Sequence, residues 1–162
     1  MPMPALITSL TSRIISTIPW PAITAPASND KRAGVCTSWA ASYRPEAGVV
    51  NFYQARDTLT AHIDQSEVDA VKPLVSISLG ESAVFLIGTE SRDDIPLPLL
   101  LQSGDVVVMS GPSRRVFHGV PRVVEGGMRP ELLDGWSSAE AMVGFMRGTR
   151  LNVNVRHVYE DS

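Results

Sequence analysis

The residues best placed to do chemistry are His62 and Asp64, in the run Leu59-Thr60-Ala61-His62-Ile63-Asp64. Read as a strand, this run alternates its side chains, so the imidazole and the carboxylate project from one face. Such a pair can take adjacent positions on one metal ion. A third ligand must come from elsewhere, and the chain has only two more histidines, His118 and His157. With His118 the set is two imidazoles and one carboxylate, the arrangement that leaves three positions open on non-haem Fe(II). Taken alone, His-x-Asp is a weak signal, and a half-buried strand histidine bonded to a neighbour is the commoner outcome.

A second group lies near the C-terminus, where Arg150-Leu-Asn152-Val-Asn154-Val-Arg156 alternates without a break. One face carries two guanidiniums and two amides; the other carries Leu151, Val153 and Val155. An edge strand with a solvated polar face would look the same. Yet the polar row is also a strong grip for a dicarboxylate, since Arg matches carboxylate geometry bidentately. Asn51 and Tyr53 share a face on an earlier strand and add an amide and a phenol. His157 points away from Arg156, towards the apolar side, and reads as structural. Trp39, Trp136 and Phe145 read as core or helix-packing residues rather than stacking platforms for bases.

These groups need a scaffold, and from Ala47 onward the chain supplies short apolar strands separated by turns. The candidates are 48–53, 59–64, 74–79, 83–88, 98–102, 105–110, 115–117 and 151–159. Turn chemistry falls between them at Leu79-Gly80-Glu81, Arg92-Asp93-Asp94, Ser103-Gly104-Asp105 and Gly111-Pro112-Ser113. About eight such strands suggest a mainly β fold, a double-sheet jelly roll (double-stranded β-helix) with flanking helices. Residues 1–43 differ. Ala5 to Ile18 places Leu6, Leu10 and Ile14 on one helical stripe, with Ile7 and Ile18 beside it. Pro19-Trp20-Pro21 ends that helix, and Ala25 to Ala33 is a polar loop. The division expected is therefore an N-terminal helix and polar loop, 1–43, packing on a core of 44–162. Ser137 to Arg147 reads as a short helix capped by Ser137 or Ser138.

The chain has 162 residues, 44% hydrophobic and 19% charged, with a formal charge of −3. That fits one domain with its own core and no global basic field to draw nucleic acid. Cys36 is the only cysteine, which excludes an intramolecular disulfide and a thiolate-rich metal site and points to a reducing compartment rather than secretion. No apolar run approaches the roughly 18 residues of a membrane span.

Taken together, these motifs resemble the AlkB family of Fe(II)- and 2-oxoglutarate-dependent dioxygenases, marked by His-x-Asp, a distal His, and Arg-x-Asn-x-Thr-x-Arg. The likeness is to the eukaryotic homologue-1-type branch. It runs through Glu46-Ala-Gly-Val-Val-Asn51-Phe-Tyr53, Asp57-Thr-Leu-Thr-Ala-His62-Ile-Asp64-Gln-Ser-Glu67 and Lys72-Pro-Leu-Val-Ser-Ile-Ser-Leu-Gly80. It continues in Ala83-Val-Phe-Leu-Ile-Gly88, Ser103-Gly-Asp-Val-Val-Val-Met-Ser-Gly111 and His118-Gly-Val-Pro-Arg122. The resemblance implies that His62, Asp64 and His118 are the catalytic iron ligands. It implies Arg150 on the distal carboxylate of 2-oxoglutarate, helped by Tyr53 and Asn152, with Arg156 and Asn51 supporting the carboxylate nearer the metal. Leu59 and Ser76 would line the reaction chamber, and Ser66 stands where the bacterial enzyme has an aspartate that touches the base. The implied reaction converts 2-oxoglutarate to succinate and CO2 while a methyl group on a nucleobase nitrogen, in DNA or tRNA, is oxidised and leaves as formaldehyde.

Two departures bear on this. Asn154 replaces the usual threonine but keeps a hydrogen-bonding group on that face. The family's substrate-gripping lid precedes its core, and little lies upstream of the core helix here, so the expectation is a lidless core with substrate choice left open. The alternatives are a core with weak or no activity on nucleic acid, and an oxygenase acting on protein. The expected partner is methylated DNA or RNA, with no membrane and a monomeric chain. The family works in nucleus and mitochondrion, and Arg13, Lys31 and Arg32 against Asp30 give the N-terminal segment a basic bias compatible with either.

Overall fold

Strand alternation and turn chemistry decide how the chain is laid out. The computed structural model describes residues 3–20, 39–65, 71–128, 131 and 140–159. Helix α1 (Ala5–Thr17) and a single turn α2 (Trp39–Ser42) precede β1 (Ala47–Gln54), β2 (Leu59–His62), β3 (Leu74–Gly80) and β4 (Ser82–Ile87). Then come β5 (Leu97–Leu101), β6 (Val106–Met109), a 3-10 turn (Gly111–Arg115), β7 (His118–Val124), helix α3 (Glu140–Met146) and β8 (Thr149–Arg156). Two four-stranded antiparallel sheets result, ordered β1-β8-β3-β6 and β2-β7-β4-β5. This is the jelly roll, with helices outside it. No helix of the described residues is long and apolar enough to cross a membrane.

The strand β8 is central, paired with β1 along its whole length and with β3 from Arg150 to Arg156. It is not an edge strand, so its two faces meet two different interiors. Val153 and Val155 join Val75 and Ile77 on the outer face, under Ile15, Trp20, Trp39 and Tyr43. Trp20 and Trp39 meet edge to face at 5.2 Å, and the Trp20 indole donates to the Ile15 carbonyl at 2.9 Å. That bond satisfies one of the orphan carbonyls at the end of α1. A second cluster lies between the sheets, built from Leu74, Phe85, Leu101, Met109, Val116 and Val120.

The chain reverses from β3 into β4 at Gly80, whose φ of 79° is left-handed. A Cβ there would also run into the Thr149 carbonyl, so only glycine serves. Glu81, just after it, is buried and accepts from the amides of Gly127 (2.8 Å), Met128 (2.9 Å) and Gly148 (3.3 Å). One carboxylate thus ties two loops to the turn that precedes β8.

Four sequence expectations are corrected. The buried face of α1 is Thr11 and Ile15, with Ile7, Ile14 and Ile18 packed at its margin, while Leu6 and Leu10 are exposed. Thr11 sits at the centre of that face and hides it from a hydrophobicity reading. No strand covers 115–117: Pro112 opens a 3-10 turn, and the ladder begins at His118. Strand β2 ends at His62 rather than at Asp64. The last strand closes at Arg156, not Tyr159. The polar loop 25–33, Trp136 and the proposed caps Ser137 and Ser138 lie outside the described residues.

Candidate metal centre and co-substrate chamber

His62 and His118 are register partners where β2 pairs with β7. Beside them Gly119 lets β2 come close, for a Cβ there would stand 2.8 Å from the Leu59 carbonyl oxygen. Each imidazole is oriented by a carbonyl two residues earlier: Nδ1 of His62 lies 2.9 Å from Thr60 O, and Nδ1 of His118 lies 3.1 Å from Val116 O. With Nδ1–H donated in this way, both Nε2 atoms turn inward, the tautomer a metal requires. His62 Nε2 is 3.9 Å from Asp64 Oδ1, and His118 Nε2 is 3.5 Å from Asp64 Oδ2. One donor atom from each residue falls within 4.8 Å of the other two.

The electrostatics agree with a cation between these atoms. Burial pushes the Asp64 carboxyl up, but the close approach of His118 and the charges of Arg156 and His62 outweigh it and hold it at about 2. Oδ1 accepts from Arg156 Nη2 at 3.0 Å, whereas buried Oδ2 has no hydrogen-bond partner among the described residues. A metal ion between Oδ2 and the two Nε2 atoms would satisfy that oxygen. Two nitrogens and one carboxylate oxygen fit Fe(II).

The polar face of β8 reaches the site through Arg156, which holds Asp64, and Arg150 lies farther along the same strand. Arg150 is 1% exposed, with Nη2 donating to Ser78 Oγ at 3.1 Å. Its Nε and Nη1 have no hydrogen-bond partner among the described residues. Burial lowers its pKa, while Tyr53, its register partner on β1, opposes that shift. The guanidinium carbon lies 5.2 Å from the Tyr53 ring centre, and burial raises the phenol in turn. A buried cation with vacant donors calls for an anion, because desolvating it alone costs several kcal/mol. A dicarboxylate anchored here and reaching towards the metal fits that need.

The other expected residues divide. Asn51 faces Asn152 across the β1–β8 pair. Asn152 is committed to the sheet, its Nδ2 donating to Ser76 Oγ (2.7 Å) and to the Ile77 carbonyl (3.2 Å). Asn154 sits between Ser76 and Val49 with a buried Oδ1 that has no partner among the described residues. A cavity of about 350 Å³ opens beside His118, lined by Leu59, Thr60, Leu86, Arg92 and Phe117 among others. Leu59 lines it and Ser76 does not; Ser66 lies outside the described residues. His157 is buried and accepts the Arg44 amide at Nδ1, away from the metal. Trp39 is core, and half-exposed Phe145 packs edge to face on Phe52. Sequence reasoning missed Ser78, although its spacing from Ser76 puts both on the inner face of β3. It also missed Arg114, for which no local pattern gives a sign.

Comparison with known proteins agrees with this geometry. The profile of the 2OG-Fe(II) oxygenase superfamily matches residues 3–156. The tRNA demethylase abh1 of Schizosaccharomyces pombe is 47% identical over 116 residues, 72% of this chain and 37% of that protein. The DNA N(6)-methyladenine demethylase ALKBH1A of Arabidopsis thaliana is 41% identical over 122 residues, 72% of this chain and 35% of that one. The human nucleic acid dioxygenase ALKBH1 is 38% identical, with 72% and 35% covered. The chain thus spans little more than a third of the length of these relatives. The solved structure of OsALKBH1 superposes with a TM-score of 0.69 at 28% identity, over 96% of this chain and 66% of that one. With profile, relatives and fold in agreement, the chain belongs to the 2OG-Fe(II) oxygenase superfamily and, within it, to the homologue-1 branch of the AlkB family.

Proposed function

We propose that this chain is the catalytic core of an Fe(II)- and 2-oxoglutarate-dependent dioxygenase that demethylates N-methylated bases in nucleic acid. The observation that carries the reading is the His62–Asp64–His118 set beside the polar face of β8, where Arg156 holds Asp64 and Arg150 keeps Nε and Nη1 without a hydrogen-bond partner among the described residues. Iron and 2-oxoglutarate, when bound, supply the oxidising power, with O2 consumed and succinate and CO2 released. The chain's own part is positional. His62, Asp64 and His118 would hold the metal, leaving its remaining positions to co-substrate and oxygen. Arg150 and Tyr53 would anchor the far carboxylate of 2-oxoglutarate, and Arg156, which steadies Asp64, would support the nearer one. Oxidation of the N-methyl group to N-hydroxymethyl is followed by loss of formaldehyde, which returns the N–H base.

The substrate class rests on the relatives, whose names agree on nucleic acid; two name demethylation, one of tRNA and one of DNA. The cavity beside His118 has room for one base, and Arg92 on its rim supplies a cation. Nucleus or mitochondrion is the proposed compartment, because the family works in both and the basic bias of the N-terminal segment does not choose between them; imaging of a tagged chain tests it.

The deciding assay combines Fe(II), 2-oxoglutarate and ascorbate and follows succinate with and without an oligonucleotide carrying 1-methyladenine. Oligonucleotide-dependent succinate with stoichiometric formaldehyde is the expected result. No succinate under either condition refutes the enzyme reading. Succinate at one rate regardless of oligonucleotide indicates a core that turns over without engaging nucleic acid, the alternative suggested by the formal charge of −3.

A further inference from the structure

Of the three metal-site residues, two are fixed by the sheet and one is not. His62 and His118 sit opposite each other in the β2–β7 ladder. Asp64 lies beyond the last residue of β2, where no ladder holds its main chain. Its carboxylate is held by Arg156, but a carboxylate is only as well placed as the backbone that carries it.

We propose that Arg114 is the positioning residue that fixes this backbone, so that the geometry of the metal centre is set from the turn before β7. Within the 3-10 turn, Gly111, Pro112, Ser113 and Arg115 are exposed and Arg114 alone points inward, 2% exposed. Its Nε donates to the Lys72 carbonyl at 3.0 Å, and its Nη1 reaches the Asp64 carbonyl at 3.4 Å. The two carbonyls bracket the connection from β2 to β3, so one planar fork holds both ends of it. Lysine, with a single nitrogen, cannot place donors on two separate carbonyls in a fixed relation. Arg114 also stands two residues before Val116, whose carbonyl orients the His118 ring. The strand β2, Asp64, Arg114, Val116 and His118 therefore form a closed mechanical loop around the site. Within it, a shift of the turn moves the carboxylate and the second imidazole together.

This inference rests on His62, Asp64 and His118 being the metal ligands, and the test is arranged to separate the two. Co(II) is titrated into the full chain, and its visible absorption and dissociation constant are read alongside far-UV circular dichroism and the thermal midpoint. Partners that orient ligands typically change metal affinity about 10- to 100-fold, and that weakening, with altered Co(II) bands, is expected for Arg114→Met. Arg114→Lys should fall between Arg114→Met and wild type. Arg115→Met, on the exposed side of the same turn, should bind as wild type. A folded Arg114→Met with wild-type affinity and spectrum overturns the proposal, since a residue serving only the fold would lower the midpoint and leave both unchanged. Should Arg114→Met fail to fold, Arg114→Lys decides: weakened Co(II) binding supports the role and wild-type binding overturns it. Absence of Co(II) binding by the wild-type chain would overturn the metal reading and the inference with it.

Discussion

Replacing Arg150 by methionine separates co-substrate binding from stability, because the structure gives the two effects opposite signs. The guanidinium makes one hydrogen bond to Ser78 and leaves Nε and Nη1 vacant at 1% exposure. Without ligand, the variant loses a charge-assisted hydrogen bond worth about 1.5–3 kcal/mol and the contact with Tyr53, but it also removes a buried cation whose desolvation costs several kcal/mol. The ligand-free thermal midpoint should therefore stay level or rise. With 2-oxoglutarate the sign reverses. A charge-assisted contact contributes about 1.5–3 kcal/mol, so the dissociation constant should rise about 10- to 150-fold. At a concentration 100 times the wild-type constant, ligand stabilises the wild-type chain by about 2.7 kcal/mol. If the constant rises 100-fold, the same concentration gives the variant only about 0.4 kcal/mol. Thermal melts across a 2-oxoglutarate titration in the presence of a redox-inert divalent metal measure both effects at once. Unchanged stabilisation by 2-oxoglutarate would refute the placement of the co-substrate against β8, and a large fall in the ligand-free midpoint would refute the view of Arg150 as poised for an anion.

Other perturbations follow from the same geometry. His62→Ala should abolish iron retention and turnover, since two remaining ligands rarely hold Fe(II); full iron occupancy by elemental analysis would contradict the triad. Glu81→Ala removes the acceptor for three amides and should cost about 2–3 kcal/mol, seen as a lower denaturation midpoint, with Co(II) affinity of the folded chain unaltered. Tyr43 donates to the Val155 carbonyl at 3.1 Å, and burial, with Glu46 adding and Arg114 opposing, pushes its phenol well above the ordinary 10.0. The folded chain thus keeps a proton that the unfolded chain releases, so this contribution is complete below about pH 10 and lost as pH rises above it. Tyr43→Phe should cost about 1 kcal/mol at neutral pH and flatten the loss of stability under alkaline conditions, read from urea midpoints at several pH values.

What could be read in advance depended on whether a role is local. His62 and Asp64 were legible because their spacing is set within one short segment, and His118 because the chain has so few imidazoles. The polar and apolar faces of β8 were legible because strand alternation has a period of two, wherever the strand lies. Its central position was not, since centrality comes from pairing with β1 and β3, distant segments both. The α1 stripe misled because a threonine occupies the middle of the buried face, and sequence hydrophobicity has no means of showing that Thr11 is fully covered. Val116 and Phe117 suggested a strand by composition, but Pro112 commits the preceding residues to a 3-10 turn. Ser78 and Arg114 act on residues 72 and 50 positions away in the chain, and no local pattern encodes such partners.

The position of β8 explains why the site and the fold cannot drift apart. Its odd-numbered residues Leu151, Val153 and Val155 face the tryptophan cluster, and its even-numbered residues point the other way, Arg156 onto Asp64, Asn152 onto Ser76 and Arg150 onto Ser78. A slip of one residue would exchange the faces, placing two guanidiniums among Trp20, Trp39 and Val75 and two or three aliphatic side chains opposite the metal. Burying those cations unpaired would cost several kcal/mol each, comparable to the whole stability of a domain this size. The register that excludes this outcome is fixed on both flanks by continuous pairing with β1 and β3. Because Arg156 of that strand also grips Asp64, the same register places the co-substrate anchor relative to the metal. The binding chamber is therefore specified by the packing of the opposite face, and mutations in the outer apolar row should weaken 2-oxoglutarate binding in proportion to how far they loosen β8.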